Sequence, residues 1–320
     1  MSDFETNNKR PGSTQSRRGF LSKQIKLAVL GAFIGTPLSS LFRVRFANAE
    51  ETSPAKKITV GGIKKGNAKD ELHPMAKPFI DEYATYEISF IGLINVAEGF
   101  VKFYRDDKGY YVGHIEAKVK GLAAKLSEYK LLGFKSHMRI KDVDGKPRFV
   151  SSIHTREQTK GDEKKRSVYK FNYFKKTWSN ERFKNGKLYK TRRRKFKVDA
   201  IDDFVSAAYN FRAGAMGPVE AGKKYTINVI PFSGIDKFYA YITSPDEMKK
   251  EGDWVKKYDN AKWLAILKVD KKLFGKKDGS VKFLGDKDLF PLACRVDDAT
   301  YFGNVQVHLV SRKDGIYAKK

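Results

Sequence analysis

The sequence predicts a mainly β protein, a large antiparallel barrel or curved sheet of about a dozen strands with one central helix. Three observations carry that prediction. From Tyr83 onward polar and apolar residues alternate with period two, as they do in strands that bury one face. Turn sequences interrupt the alternation at Asp107-Lys108-Gly109, Asp144-Gly145, Asn185-Gly186, Asp278-Gly279 and Asp314-Gly315. Asp-Gly and Asn-Gly accept the positive φ angles of two-residue hairpin loops, so these sites join neighbouring strands antiparallel. Only Phe204 to Arg212 combines helical spacing with start and stop signals.

The chain opens on a targeting segment. Ser16-Arg17-Arg18-Gly19-Phe20-Leu21-Ser22-Lys23 resembles the twin-arginine export signature, with the lysine one place late. An apolar run from Leu27 to Leu41 follows, and Ala47-Asn48-Ala49 supplies the small-x-small pattern of signal-peptidase cleavage. Arg17, Arg18, Phe20 and Leu21 are the expected export determinants, and Ala47 and Ala49 the expected cleavage determinants, of a signal spanning residues 1–49. Arg43 and Arg45 would hinder the general secretory route and are better tolerated by the twin-arginine route. Kept uncleaved, the segment would instead anchor the protein at a membrane interface. The expected location is periplasmic or otherwise exported, with the twin-arginine machinery as a partner.

Residues 50–82 hold Gly61-Gly62, Pro74 and Pro78 among few apolar residues and read as a flexible leader. The β-rich domain follows at 83–320, with its halves expected to meet near residue 200. Strands are expected over 84–91, 99–105, 109–120, 134–141, 147–157, 164–175, 187–198, 223–231, 236–243, 262–270, 279–284, 289–297 and 302–311, segments rich in Tyr, Phe, Val and Ile. Asp202 or Asp203 can cap the helix and Gly214 can end it. Ile201, Phe204, Val205, Ala208 and Phe211 recur at helical spacing as the expected docking face. Leu122 to Leu131 has fainter helical character.

Composition narrows the class. With 41% hydrophobic and 32% charged residues the chain can bury a core, which excludes wholesale disorder. A single cysteine, Cys294, excludes a disulfide scaffold. No run of 18 apolar residues occurs, which excludes a protein of several membrane-spanning helices. Lys and Arg outnumber Asp and Glu by 64 to 37. Residues 1–49 hold eight basic and two acidic residues, so 56 basic side chains still face 35 acidic ones beyond them. The positive charge belongs to the folded protein.

Two segments bring a family resemblance. Tyr86-Glu87-Ile88-Ser89-Phe90-Ile91-Gly92-Leu93-Ile94-Asn95-Val96-Ala97-Glu98-Gly99 resembles the opening strand and turn of the bacterial envelope family catalogued as domain of unknown function 3108. Asp203-Phe204-Val205-Ser206-Ala207-Ala208-Tyr209-Asn210-Phe211-Arg212 resembles that family's Asp-x-x-Ser-Ala-x-Tyr-x-x-Arg helix. Ala221-Gly222-Lys223 and Asp288-Leu289-Phe290-Pro291-Leu292 fall downstream in the same order, whereas Ser244 to Tyr258 looks like an insertion. The resemblance spans about residues 83–312 and implies an exported β-rich protein; it brings no catalytic residues with it.

The chemistry-bearing residues point to binding. Asp203 suits an N-cap and Arg212 the negative end of the helix dipole, while Ser206, Tyr209 and Arg212 would line a polar site contacting an anionic group. Tyr169, Phe171 and Tyr173 share one strand face between Lys164-Lys165-Arg166 and Lys175-Lys176. Lys190, Arg192, Arg193, Arg194 and Lys195 make a strand with cations on both faces. Aromatics interleaved with cations suit nucleic acid, but export argues against that partner and for an anionic envelope lipid or glycan. His114, His137 and His154 could build a three-histidine zinc site only if three separate strands met, and they lack nearby carboxylate support. Cys294 alternates with Leu292 and Val296 and reads as a buried thiol. Neither a nucleophile elbow nor a phosphate loop appears, so no catalytic residue, metal or cofactor is expected. The expected function is non-enzymatic binding of an apolar or anionic envelope lipid or glycan. An envelope enzyme acting on polysaccharide or peptidoglycan, or a structural partner in an envelope assembly, are the alternatives.

Overall fold

The computed structural model describes residues 71–90, 93–127, 129–232, 235–269, 279–300 and 303–314. The expected export signal and cleavage site, with Asp278 and Gly315, lie outside the described residues. The alternating segments assemble into one antiparallel 14-stranded sheet. β1 (Glu82–Phe90), β2 (Leu93–Arg105), β3 (Tyr111–Val119), β4 (Tyr129–Val143), β5 (Lys146–Lys160), β6 (Glu163–Asn172), β7 (Thr177–Lys184) and β8 (Lys187–Lys195) pair in succession. β9 (Lys224–Phe232), β10 (Ile235–Ile242), β11 (Trp263–Val269), β12 (Gly279–Gly285), β13 (Pro291–Thr300) and β14 (Gly303–Lys313) form a second succession, and β14 pairs with β1. The sheet is thus mainly consecutive hairpins, with β8 and β9 as its open edges. Residue 200 falls in the crossover between those edges, inside one continuous sheet.

The turn chemistry sets the register. Asp144 and Gly145 take φ of 55° and 75°, and Asn185 and Gly186 take 47° and 81°, the left-handed pairs that match strand twist. β7 carries no comparable signal, since Trp178 and Phe183 are its only large apolar residues. Its turn from β6 uses Asn172, whose Oδ1 accepts from Lys175 N–H at 2.8 Å, in place of a glycine pair. α1 (Gly121–Ser127) keeps only the first half of the Leu122–Leu131 patch, because β4 begins at Tyr129.

α2 (Phe204–Arg212) lies in the β8-to-β9 crossover and defines the inner face of the sheet. Asp203 is its N-cap, accepting from Val205 and Ser206 N–H groups, and Gly214 follows its end at φ 71°. Val205, Ser206, Tyr209 and Asn210 are the buried stripe, while Phe204 and Phe211 are half-buried and Ala208 is exposed. That corrects the expected docking face by about one residue's rotation, because Asp202 and Asp203 give Ser206 polar partners and the Phe149 backbone on β5 gives them to Asn210. Gly113 on β3 makes the approach feasible: a Cβ there would stand 2.4 Å from Val205 Cγ1.

The inner core runs from Ile88, Phe103, Ile115, Met138 and Phe149 to Val281, Val296 and Val305. Residues 71–81, counted above with the flexible leader, belong to it. Ala76 and Phe79 are buried, and the Phe79 ring meets Phe103, Phe149 and Tyr209 at 5.8, 6.2 and 5.4 Å. The segment resembling an insertion forms α3 (Pro245–Lys249) and α4 (Asp253–Lys256) and places Trp254 over Leu264, Leu284 and Ala293 on the outer face.

Candidate functional site

A polar centre forms where α2 starts. Asp203 Oδ1 accepts from Ser136 Oγ at 2.7 Å and from Val205 N–H at 2.7 Å, and Oδ2 accepts from Ser151 Oγ. His154 Nδ1 stands 3.4 Å from Asp203 and 2.8 Å from Ser136 Oγ. Burial works to raise the Asp203 carboxyl, but the His154 charge and the bonds from His154, Ser151 and Ser136 hold it well below the usual carboxylate range. Asp202 pairs with Arg148 and accepts from Asn210 Nδ2 at 2.9 Å. Burial pushes its carboxyl up to about 6 against the Arg148 charge, and Asp203 adds repulsion.

Asn210 also closes a gap in the sheet. β6 pairs with β5 only from Ile153 onward, which leaves the Phe149 backbone without a strand neighbour on that side. Asn210 Oδ1 accepts from Phe149 N–H and its Nδ2 donates to Phe149 C=O, each at 2.8 Å. The side-chain amide replaces the missing strand and leaves no orphaned backbone group.

Ser136, His154 and Asp203 have the composition of a nucleophile, base and acid. Their geometry is different. Both the Ser136 hydroxyl and the Asp203 carboxylate face Nδ1, whereas a triad needs them on opposite ring nitrogens. Ser136 is also fully buried and donates to Asp203, so this centre holds a helix in place.

The residues expected to contact an anion meet one inside the chain. Arg212 Nη1 and Nη2 donate to Glu82 Oε1 and Oε2 at 2.7 and 2.6 Å, and Tyr209 donates to Oε1 at 3.4 Å. Burial opposes the Arg212 charge, but Glu82 holds its pKa above the usual arginine value. Ser206 Oγ accepts from Asp203 N–H at 3.0 Å and donates to Asp202 at 3.3 Å. Apart from Arg212 Nε, which has no partner among the described residues, the helix polar set is bonded internally, and sequence spacing could not show it because Glu82 lies 130 residues from Arg212.

Tyr169, Phe171 and Tyr173 form a half-buried apolar layer with Trp178, Phe196 and Ile201. Tyr169 stands 5.9 Å from the His154 ring, and Tyr173 donates to Ile201 C=O at 3.3 Å, so this layer abuts the polar centre. Lys190, Arg192 and Arg194 on β8 pair across to Arg182, Asn180 and Trp178 and share the inner face with them. Arg193 and Lys195 pair with Ser179 and Thr177 on the outer face. Apart from half-buried Lys190 these cations are exposed.

Other candidates separate. His114 and His137 lie on the outer face, opposite Lys135 and Val112, while His154 pairs with Tyr169 inside. The three cannot share one ion, and no metal-competent cluster occurs among the described residues. Cys294 is buried in the inner core, where burial pushes its thiol far up. A depression of about 340 Å³ on the outer face of β1–β3 is lined by Glu87, Glu98 and Glu116 with Lys118, the wrong balance for an anion. Among the described residues no helix is long and apolar enough to cross a membrane.

No family model matches the chain, and no curated protein matches it. Among solved structures, a beta-barrel-like protein of domain of unknown function DUF1849 from Brucella abortus is similar at a TM-score of 0.40 and 11% identity, over 74% of this chain and 99% of that one. MucB in complex with MucA(peri) gives a TM-score of 0.12 at 13% identity, over 76% of this chain and 91% of that one.

Proposed function

We propose that the protein is exported and binds an anionic envelope lipid or glycan through the β6–β8 end of its sheet, without catalysis. The observation that carries this is the concentration of unneutralised charge there. Residues 163–197 hold fifteen basic and two acidic residues. Glu163 is taken by Lys165 and Lys184, and Glu181 by Lys170. Among the described residues none of Lys190, Arg192, Arg193, Arg194 and Lys195 has a carboxylate partner. Charge on an edge strand, inward-facing charge included, also deters pairing with another chain, so edge protection accounts for part of this set. Membership of the envelope family that the α2 motif resembles is part of the same proposal.

Each Lys or Arg at an anionic membrane contributes about 1 kcal/mol, so Arg192→Glu with Arg194→Glu, a change of four charges, should weaken binding by roughly a hundredfold or more at low salt. The difference should shrink as the Debye length falls towards about 3 Å at 1 M salt. Sedimentation with vesicles containing phosphatidylglycerol measures both. Unchanged sedimentation of the folded variant, or retention of single-stranded DNA without vesicle binding, would overturn the reading.

A further inference from the structure

The inner face of β5–β7 carries a row of groups with hydrogens to donate and, among the described residues, no anion to receive them. Arg156 on β5 pairs across to Ser167 on β6, and Ser167 to Arg182 on β7, with Lys190 continuing the row on β8. Two strand spacings put the arginine Cα atoms about 10 Å apart, and the short Ser167 side chain leaves room between them. Their side-chain acceptors are amide oxygens: Arg156 Nη2 donates to Gln158 Oε1 at 3.0 Å and Arg182 Nε to Asn180 Oδ1 at 2.8 Å. Gln158 and Asn180 are 5% and 1% exposed, and their amide nitrogens, like buried Trp178 Nε1, have no acceptor among the described residues. Buried amide donors normally find partners, so these are anomalous.

Nearby carboxylates do not resolve the imbalance. Glu163, on the same face at its rim, is held by Lys165 and Lys184, and Asp203 is held by two serines and the helix N-terminus. Burial, aided by repulsion from Arg182, lowers Arg156 to about 10, which leaves it charged at neutral pH. Tyr169 and Phe171 flank the row with ring surface.

We propose that this row seats one phosphate group over Ser167, gripped by Arg156 and Arg182 and by the amide hydrogens of Gln158 and Asn180. Guanidinium pairs match phosphate oxygens in plane and number, which favours a tetrahedral oxyanion over a carboxylate. The proposal rests on the anionic-ligand reading and gives it a specific seat, separate from the exposed β8 cations. The phosphate can be free or carried by a lipid headgroup.

Titration of the full chain with inorganic phosphate, against sodium chloride at equal ionic strength, tests the seat by calorimetry. Binding by wild type should weaken about tenfold or more in Arg182→Gln and in Arg156→Gln, the cost of losing a charged bidentate donor. Arg193→Glu with Lys195→Glu, on the outer face of β8, should leave it within about threefold, since only long-range attraction changes. Variants are compared at matched melting temperature, and Arg182→Lys, which retains charge but loses the fork, should fall between. Absence of phosphate binding by wild type, or binding by both glutamine variants as tight as wild type's, overturns the seat, and vesicle sedimentation of the same samples shows separately whether surface binding stands. Vesicles of phosphatidic acid identify the source. Sedimentation reduced by Arg182→Gln assigns the seat to a headgroup, and sedimentation indifferent to it, with phosphate binding lost, assigns it to the free ion.

Discussion

Two adjacent carboxylates in one buried centre receive opposite fates. Asp203 gathers two helix N–H groups, two serine hydroxyls and His154, and these favour its ionised form where burial alone would not. Asp202 has Arg148, one amide and the Ser206 hydroxyl against a full desolvation cost and a charged neighbour, and its carboxyl rises to about 6. A carboxyl raised on folding binds its proton more tightly in the native state. Its contribution is complete below the unfolded value near 4 and is lost as pH rises through about 6. Asp203 does the reverse, stabilising above about 4 and losing that contribution as pH falls. Between pH 4 and 6 the wild type should therefore lose stability relative to Asp202→Asn, by about 3 kcal/mol for a two-unit shift. Urea midpoints across that range read it, and parallel profiles for the two proteins would place Asp202 ionised throughout.

At the scale of elements, α2 is positioned by polar groups and by one missing side chain. Asn210 docks it on the Phe149 backbone, Asp203 on β4 and β5, and Arg212 on Glu82 at the start of β1. Gly113 lets Val205 and Tyr209 reach β3. Gly113→Ala should cost about 1–3 kcal/mol through overpacking, and adding Val205→Ala should recover part of that because the two atoms compete for one space. Ala208→Glu, on the exposed side, should stay within about 0.5 kcal/mol. Denaturation of Gly113→Ala, Val205→Ala, the double variant and wild type forms a cycle. Additive losses at Gly113 and Val205 would mean that the helix does not press on β3.

Over the whole molecule, the crossover holds the sheet's two edges in relation. Asp202 forms a parallel bridge with Val229 on β9, and Phe196 N–H donates to Lys176 C=O beside β8. Phe211 carries the contact to the far strands, its ring 5.5 Å from Tyr225 and 5.8 Å from Trp263. Faces are treated unequally: helices cover the outer side of β11–β13, whereas β6–β8 present cations to solvent. That cationic end is where the proposed anionic partner would bind, and the proposed export is tested separately. Arg17→Lys with Arg18→Lys should leave uncleaved precursor in the cytoplasm, because a receptor reads the arginine pair and bulk charge does not replace it. Cell fractionation measures this, and normal export of the variant would remove the twin-arginine assignment.

Local chemistry made much of this fold legible. Alternation and the Asp144-Gly145 and Asn185-Gly186 turns determined strands and hairpins, and Asp203 and Gly214 determined both ends of α2, because each of these signals acts within a few residues. β7 escaped because its apolar content is low and an asparagine turn replaced the glycine pair. The phase of α2 escaped because hydrophobic spacing assumes an apolar partner surface, and Ser206 and Asn210 are buried instead against Asp202, Asp203 and the Phe149 backbone. Only the tertiary structure decided that Arg212 is neutralised by Glu82, that His114 and His137 are turned away from His154, and that Arg156 and Arg182 share one face with no carboxylate partner among the described residues. Those outcomes depend on strand register and on groups as much as 130 residues apart, and one step of register exchanges the faces of every side chain on a strand.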